Sequence, residues 1–201
     1  MKLLSLDTSD NFVSVAVLSE DKVLSSFCEQ MERGQAECLI PVISDTLLKA
    51  GVDMKDLDAI AVSVGPGSFT GVRIGLATAR GLGLALDKPV WGVTCFEMAA
   101  FGIDEKIKVA LDTRRGDYYV QTFENGLPVD EPSILSSDDM KQSLPFACAG
   151  NGAEQIKQDI GCQVVLSTQT PAVAIGKIAL SRQNNPLPAL PLYLRDADVS
   201  I

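Results

Sequence analysis

A glycine-rich stretch is the part of this sequence whose residue types and spacing could do chemistry. It reads GPGSFTGVRIG over residues 65–75 and follows a continuous apolar run over residues 60–64. Glycines between a strand and a helix bring backbone N–H groups together, and such groups can hold an anion. The spacing is neither that of a Walker A loop nor that of GxGxxG. Phosphate binding and a tight turn that caps its own amides therefore both remain open.

One carboxylate accompanies this loop in the sequence. Asp7 follows the first apolar run and could hold a magnesium ion through water, although a lone carboxylate on a first hairpin is more often a turn cap. The residues of this phosphate-loop-like set are Asp7, Gly65, Gly67, Ser68, Thr70 and Gly71.

The absence of histidine excludes several kinds of site. Histidine-ligated zinc, Ser-His-Asp and Cys-His catalytic units and a histidine pH switch all require an imidazole. The five cysteines include no CxxC pair, which argues against a zinc ribbon or a disulfide framework and favours a reduced compartment. The sequence therefore predicts no metal ion and no cofactor, with Cys95 as a buried structural thiol by default.

Charge and hydropathy narrow the choice of partners. The 201 residues are 46% apolar and carry a net charge of −9, from 17 basic and 26 acidic side chains. Such a chain repels nucleic acid unless its cations cluster, so direct tRNA binding through Arg114 and Arg115 is disfavoured. No apolar run approaches the roughly 20 residues that a membrane helix needs, and an acid follows the N-terminus too soon for a signal peptide. We expect a soluble, cytoplasmic protein.

Alternating strands and helices must position these residues. Three strands at 3–6, 12–18 and 23–28 are predicted to form an antiparallel meander, with one turn at residues 20–21. The chain then alternates between helices at 35–50, 72–86 and 95–101 and strands at 60–64 and 90–93. Pro41 is expected to lie near the start of the first helix or to bend it. The order predicts an α/β fold with a largely parallel sheet covered by helices.

The second half repeats this theme less regularly. Strands are predicted at 107–111, 118–123 and 146–149, a short helix after Gly150-Asn151-Gly152, a helix from Pro171 to about residue 182, and an extended tail. A boundary near residues 102–106 divides the chain into a domain over 1–104 and a smaller domain over 105–201.

The helix after the glycine loop has two contrasting faces. Gly71, Gly75, Ala79 and Gly83 recur every four residues and leave a ridge with almost no side chains. Each interior glycine costs the helix about 1 kcal/mol relative to alanine, so close packing must offset that cost. The ridge packs either on the protein's own sheet or on another chain. The opposite face carries Arg73, Ala77, Arg80 and Leu84, and we expect one of the two faces to be a subunit contact.

Three segments together carry a family resemblance. The segments LSLDTS (residues 4–9), AVSVGPGSFTGVRIG (61–75) and PLYLRD (191–196) resemble the TsaB family, accessory subunits of bacterial threonylcarbamoyladenosine biosynthesis. The resemblance implies the actin-like ATPase (ribonuclease H-like) fold, with two βββαβα-type halves of which the second is reduced.

The resemblance also implies a role. The related catalytic protein TsaD binds metal through two histidines, and Cys95 and Ala99 stand at those positions here. A non-catalytic subunit is therefore expected, one that binds and activates TsaD for threonylcarbamoyl transfer to the adenosine next to the anticodon. TsaE would dock on that pair, the chain would form a homodimer when alone, and tRNA would be contacted only indirectly. The candidate interface residues on the first two helices are Leu39, Ile43, Leu47, Gly71, Arg73, Gly75, Ala79 and Arg80.

Two rival functions remain. One is a small actin-like ATPase or kinase that uses the glycine loop for phosphates and Asp7 or Asp112 for magnesium. Against it, the hairpin at residues 112–116 places Arg114 and Arg115 where close backbone approach to a nucleotide would be needed. The other rival is a purely homodimeric scaffold.

Overall fold

The computed structural model describes residues 1–20, 22–143 and 147–195. Three predicted features involve residues outside these ranges: the turn at Asp21, the first residue of the strand at Phe146, and Asp196 of the last family segment. In chain order the elements are β1 (Lys2–Asp7), β2 (Phe12–Ser19), β3 (Lys22–Gln30), α1 (Gln35–Ala50), a 3-10 turn (Met54–Asp56), β4 (Ala59–Ser63), α2 (Phe69–Leu86), β5 (Val90–Val93), α3 (Cys95–Ala100), β6 (Ile107–Asp112), β7 (Asp117–Glu124), β8 (Leu127–Pro128), β9 (Ser133–Ser136), α4 (Ser137–Gln142), β10 (Ala147–Ala149), α5 (Ala153–Ile160), α6 (Pro171–Ser181) and β11 (Leu187–Pro188).

The first sheet is the framework on which the glycine loop is built. Its strand order is β11-β5-β4-β1-β2-β3, with β1 antiparallel to β2 and parallel to β4. Helices α1 and α2 pack on one face and α6 on the other. Every residue of β4 is buried, because a strand covered on both sides reads as a continuous apolar run. The predicted meander followed by parallel strands is confirmed.

The helix boundaries follow local capping chemistry. Helix α1 begins six residues before Pro41 and ends at Gly51, whose φ of 65° suits a glycine C-cap. Helix α2 begins at Phe69 rather than at residue 72, because the Ser68 side chain accepts a hydrogen bond from the Gly71 amide and caps the helix earlier than the apolar pattern suggests. Helix α3 starts with a capping box between Thr94 and Glu97.

The second half forms its own sheet. The order is β10-β6-β7-β8, with β9 also paired to β7. The strands at β6, β7 and β10 and the helices α5 and α6 were predicted, whereas β8, β9, α4 and β11 were missed because they are short. Helix α6 returns to the first sheet, where the Ser5 hydroxyl donates to the Ala172 carbonyl at 2.7 Å. The division at residues 104/105 stays a prediction.

Among the described residues, no helix combines the length and the hydropathy that crossing a bilayer requires.

Candidate functional site

The glycine loop lies between β4 and α2 and packs tightly on the turn of the first hairpin. A Cβ atom at Gly67 would lie 2.5 Å from the Ser9 carbonyl oxygen, and one at Gly71 would overlap the carbonyl oxygen of Thr8. The Thr8 hydroxyl donates to the Gly71 carbonyl at 2.7 Å. Glycine is required here because two backbone segments of the same chain approach each other closely.

The polar groups of the loop bind the chain itself. The Ser68 amide donates to the Ser9 carbonyl at 2.7 Å, and the Cys95 amide donates to the Gly65 carbonyl at 2.8 Å. The Ser68 hydroxyl accepts from the Gly71 amide at 3.3 Å. Thr70 is exposed on the first turn of α2. The amides of Ser68 and Gly71 thus cap the turn, as in the second of the two interpretations, and are not available to a phosphate.

Asp7 is fully buried beneath the loop. Its Oδ1 atom accepts hydrogen bonds from the Ser9 amide at 2.9 Å and from the Ser63 hydroxyl. Its Oδ2 atom has no hydrogen-bond partner within the described residues. Burial raises the pKa of Asp7, against the lowering effect of the Ser63 hydroxyl. Asp7 is thus part of the turn, and the described ranges contain no group of three cysteine or carboxylate side chains placed to hold a metal ion.

A short network closes the cleft between the two halves of the chain. Asp10 accepts hydrogen bonds from Arg114 at 3.2 Å and from the Asn151 side chain at 2.7 Å, and Arg114 also donates to Asn11 at 2.8 Å. The Asn151 side chain in turn accepts from the Asp112 amide at 2.9 Å.

The pocket lined by Ser9, Cys95 and Asn151 beside this network has a volume of about 140 Å³. Pockets for drug-sized ligands are roughly 300–1,000 Å³, so this pocket is too small for a nucleotide. A neighbouring groove, lined by Gly67, Ser68 and the 112–115 hairpin, has a volume of about 550 Å³. The rival ATPase or kinase function stays untested.

The candidate interface residues divide between the two sides of their helices. Six are buried inside the chain: Leu39, Ile43, Leu47, Gly71, Gly75 and Ala79. The glycine ridge packs on the protein's own sheet, since a Cβ atom at Gly75 would lie 3.4 Å from the Val62 side chain in β4 and 3.6 Å from the Leu6 side chain in β1. These six residues therefore pack inside the chain and present no surface to a partner, and a subunit contact through these helices stays a prediction. Arg73 and Arg80 are exposed.

The outward side of the same two helices exposes large apolar side chains among its polar and charged ones. The side-by-side helices α1 and α2 share one core cluster below them. Above it, Ile40 is 47% exposed, Leu48 is 79% exposed and Leu84 is 87% exposed. Ala77 and Gly81 lie exposed on α2. We call Ile40, Leu48, Ala77, Gly81 and Leu84 the docking face. Sequence analysis missed Ile40 and Leu48, although their spacing of eight residues along α1 was a signal.

Comparison with known proteins identifies the family. The family model of TsaD, tRNA N6-adenosine threonylcarbamoyltransferase, matches residues 24–176. The tRNA threonylcarbamoyladenosine biosynthesis protein TsaB of Bacillus subtilis is 31% identical over 94% of this chain and 84% of its own length. The chain belongs to the TsaB family. The resemblance inferred from the three segments is confirmed.

Solved structures support the fold of this TsaB-family chain. YeaZ from Pseudomonas aeruginosa has a TM-score of 0.79 at 28% identity and covers 96% of this chain and 99% of its own. The activator of 2-hydroxyisocaproyl-CoA dehydratase from Clostridium difficile has a TM-score of 0.55 at 10% identity, over 92% of this chain and 96% of its own. The second likeness concerns the fold alone. The predicted actin-like α/β fold is confirmed.

Cys95 and Ala99 line the closed cleft of this TsaB-family chain. The Cys95 thiol contacts the Ser9 hydroxyl at 3.2 Å, and burial raises the pKa of Cys95 well above its ordinary value. A thiol with a raised pKa is a poor metal ligand and nucleophile, because both roles require the thiolate. Ala99 has no donor atom.

Proposed function

We propose that this TsaB-family chain is a non-catalytic subunit that binds TsaD and activates it. The reaction of TsaD would be transfer of threonylcarbamoyl to N6 of the adenosine next to the anticodon in tRNAs that read ANN codons. The names of the relatives support the pathway, and the inert surroundings of Cys95 and Ala99 support the accessory role. The chain would act in the cytoplasm.

The docking face carries this proposal. Leu48 and Leu84 are 79% and 87% exposed on adjacent helices. Complete burial of a leucine side chain contributes roughly 1.5–3 kcal/mol, so a partner that covers both would gain several kcal/mol. The small exposed residues Ala77 and Gly81 on α2 allow a partner helix to approach closely. TsaD would occupy this face through two helices of its own.

The same face explains the other expected partners. A surface that binds a structurally related protein can also pair with a second copy about a two-fold axis, so the chain would form a homodimer when TsaD is absent. TsaE would dock on the TsaB–TsaD pair. The net charge of −9 favours contact with tRNA only through the complex.

Size-exclusion chromatography with TsaD from the same organism tests the proposal. The wild-type chain should co-elute with TsaD, and Leu84→Glu should abolish the complex because it places a charge in an apolar contact. Leu166→Glu is the matched control, since Leu166 is 67% exposed but lies on neither helix of the docking face. In a reconstituted reaction, Leu84→Glu should also lower the yield of modified tRNA. Modification of tRNA by the chain alone would refute the accessory role.

A further inference from the structure

An arginine-rich groove lies at one end of the docking face. It has a volume of about 550 Å³ and opens between the glycine loop, the first turn of α2, the β6–β7 hairpin and residues 192–195. Four of the chain's seven arginines line it: Arg73, Arg114, Arg115 and Arg195. The acidic residue of the lining is Asp112. Because the whole chain carries a charge of −9, the groove concentrates positive charge in an otherwise acidic protein.

Arg73 is the arginine best prepared to bind an anion. Its guanidinium lies 3.2 Å from the centroid of the Phe69 ring, and its Nε atom donates to the Tyr193 hydroxyl at 3.2 Å. Stacking holds the planar group in place, so less side-chain entropy is lost when it binds a carboxylate. Arg114 and Arg195 pair with Asp10 and Asp117, whereas Arg73 forms no ion pair with any carboxylate that the structure describes.

The surroundings of Arg73 are typical of a protein contact. Phe69 is 53% exposed and Tyr193 is 50% exposed, and arginine and tyrosine are enriched where interfaces concentrate their binding energy. The first turn of α2 contains no acidic residue, so its amide dipoles add to the positive potential. Ala77 of the docking face follows Arg73 by one helical turn. A partner seated on the docking face therefore reaches the groove without a break.

We propose that this groove binds an acidic segment of the protein that docks on α1 and α2, with Arg73 pairing to one of its carboxylates. The inference rests on the proposed function and adds the chemistry of the partner's second contact. The docking face supplies apolar area, and the groove supplies charge complementarity that orients the partner and speeds association. An acidic segment is repelled by much of the remaining surface of a chain with net charge −9, so it would select this end of α2.

Titration of TsaD by calorimetry, at low and at high salt, tests the groove. Arg73→Gln and Arg115→Gln remove groove charges, and Arg33→Gln is the matched control because Arg33 is exposed but does not line the groove. We expect Arg73→Gln to raise the Kd for TsaD about ten-fold at low salt and far less at high salt, where charges are screened. Arg73→Lys should restore part of the affinity. Arg33→Gln should bind as the wild type does. Thermal melting of each variant checks its folding.

The outcomes separate the groove from the docking face. In one outcome, the wild type binds TsaD, Leu84→Glu does not bind it, and the groove variants bind within two-fold of the wild type at both salt concentrations. The groove proposal is then wrong, and the proposed function stands. If the wild type does not bind TsaD, both fall. Titrations with ATP and with tRNA are run in parallel. If the wild type binds ATP or tRNA, and Arg73→Gln removes that binding but leaves the affinity for TsaD unchanged, the groove proposal is overturned in favour of that ligand.

Discussion

Replacing Gly71 and Gly81 by alanine should change stability in opposite directions, although both glycines lie in α2. A Cβ atom at Gly71 would overlap the Thr8 carbonyl oxygen and lie 3.1 Å from the Thr8 carbonyl carbon. Both are backbone atoms, so the obstruction cannot be relieved by a rotamer change. At Gly81 nothing lies within 4 Å of an added Cβ atom.

The magnitudes follow from these surroundings. Overpacking a close contact costs about 1–3 kcal/mol, which for Gly71→Ala exceeds any gain in helix propensity near the first turn of α2. Gly81→Ala has no contact to disturb and gains about 1 kcal/mol, the difference between glycine and alanine in a helix interior. For a chain of this size, 1 kcal/mol corresponds to a change of roughly 2–4 °C in Tm.

Urea unfolding followed by circular dichroism measures both effects. Gly71→Ala should lower the free energy of unfolding and Gly81→Ala should raise it, with equal m-values. A Gly71→Ala variant as stable as the wild type would show that Thr8 and α2 are not in close contact, and the explanation of the glycine loop as a tight turn would fail. A Gly81→Ala variant that is destabilised would contradict the assignment of that residue to an open helix face.

Three further predictions concern buried and exposed polar groups. The pKa of Asp7 is raised, so the folded chain holds the Asp7 proton more tightly than the unfolded chain does. The contribution of Asp7 to stability therefore decreases as pH rises above about 4, the usual pKa of an aspartate. Asp7→Asn should remove that decrease in melting curves recorded from pH 4 to 8. Arg182→Met should cost about 1–3 kcal/mol in urea unfolding, because it leaves the partly buried Glu97 without its ion-pair partner. Iodoacetamide should label the exposed Cys28 rapidly and the buried Cys95 only on unfolding, as peptide mass spectrometry would show; rapid labelling of Cys95 would contradict its burial.

Much of the fold was predictable because its signals are local. The alternation over β2, the buried run of β4 and the glycine that ends α1 each follow from short-range patterns of side chains. The start of α2 was placed three residues late, since the capping role of Ser68 depends on backbone geometry rather than on apolar spacing. Short strands such as β8 and β11 lack enough residues to show a period.

The candidate site was predictable only in part. Its glycine loop and its two helices were recognised from residue types, and the side chains that form the docking face belong to those helices. Which side faces outward was not predictable, because periodicity shows that a helix has an apolar stripe but not what covers it. Ile40 and Leu48 lie on the same helix as Leu39 and Leu47 and differ from them only in the direction of their side chains.

The amino-acid sequence by itself determined the TsaB-family resemblance, the α/β element order and the exclusion of imidazole chemistry, since these depend on residue identity and local spacing. The tertiary structure alone decided that the Gly71–Gly83 ridge packs on the chain's own sheet and that Arg73 joins Tyr193, 120 residues away, at one groove. The physical reason is that close packing and charge clustering join residues distant in the chain, and these distances are set only when both sheets and their helices have assembled.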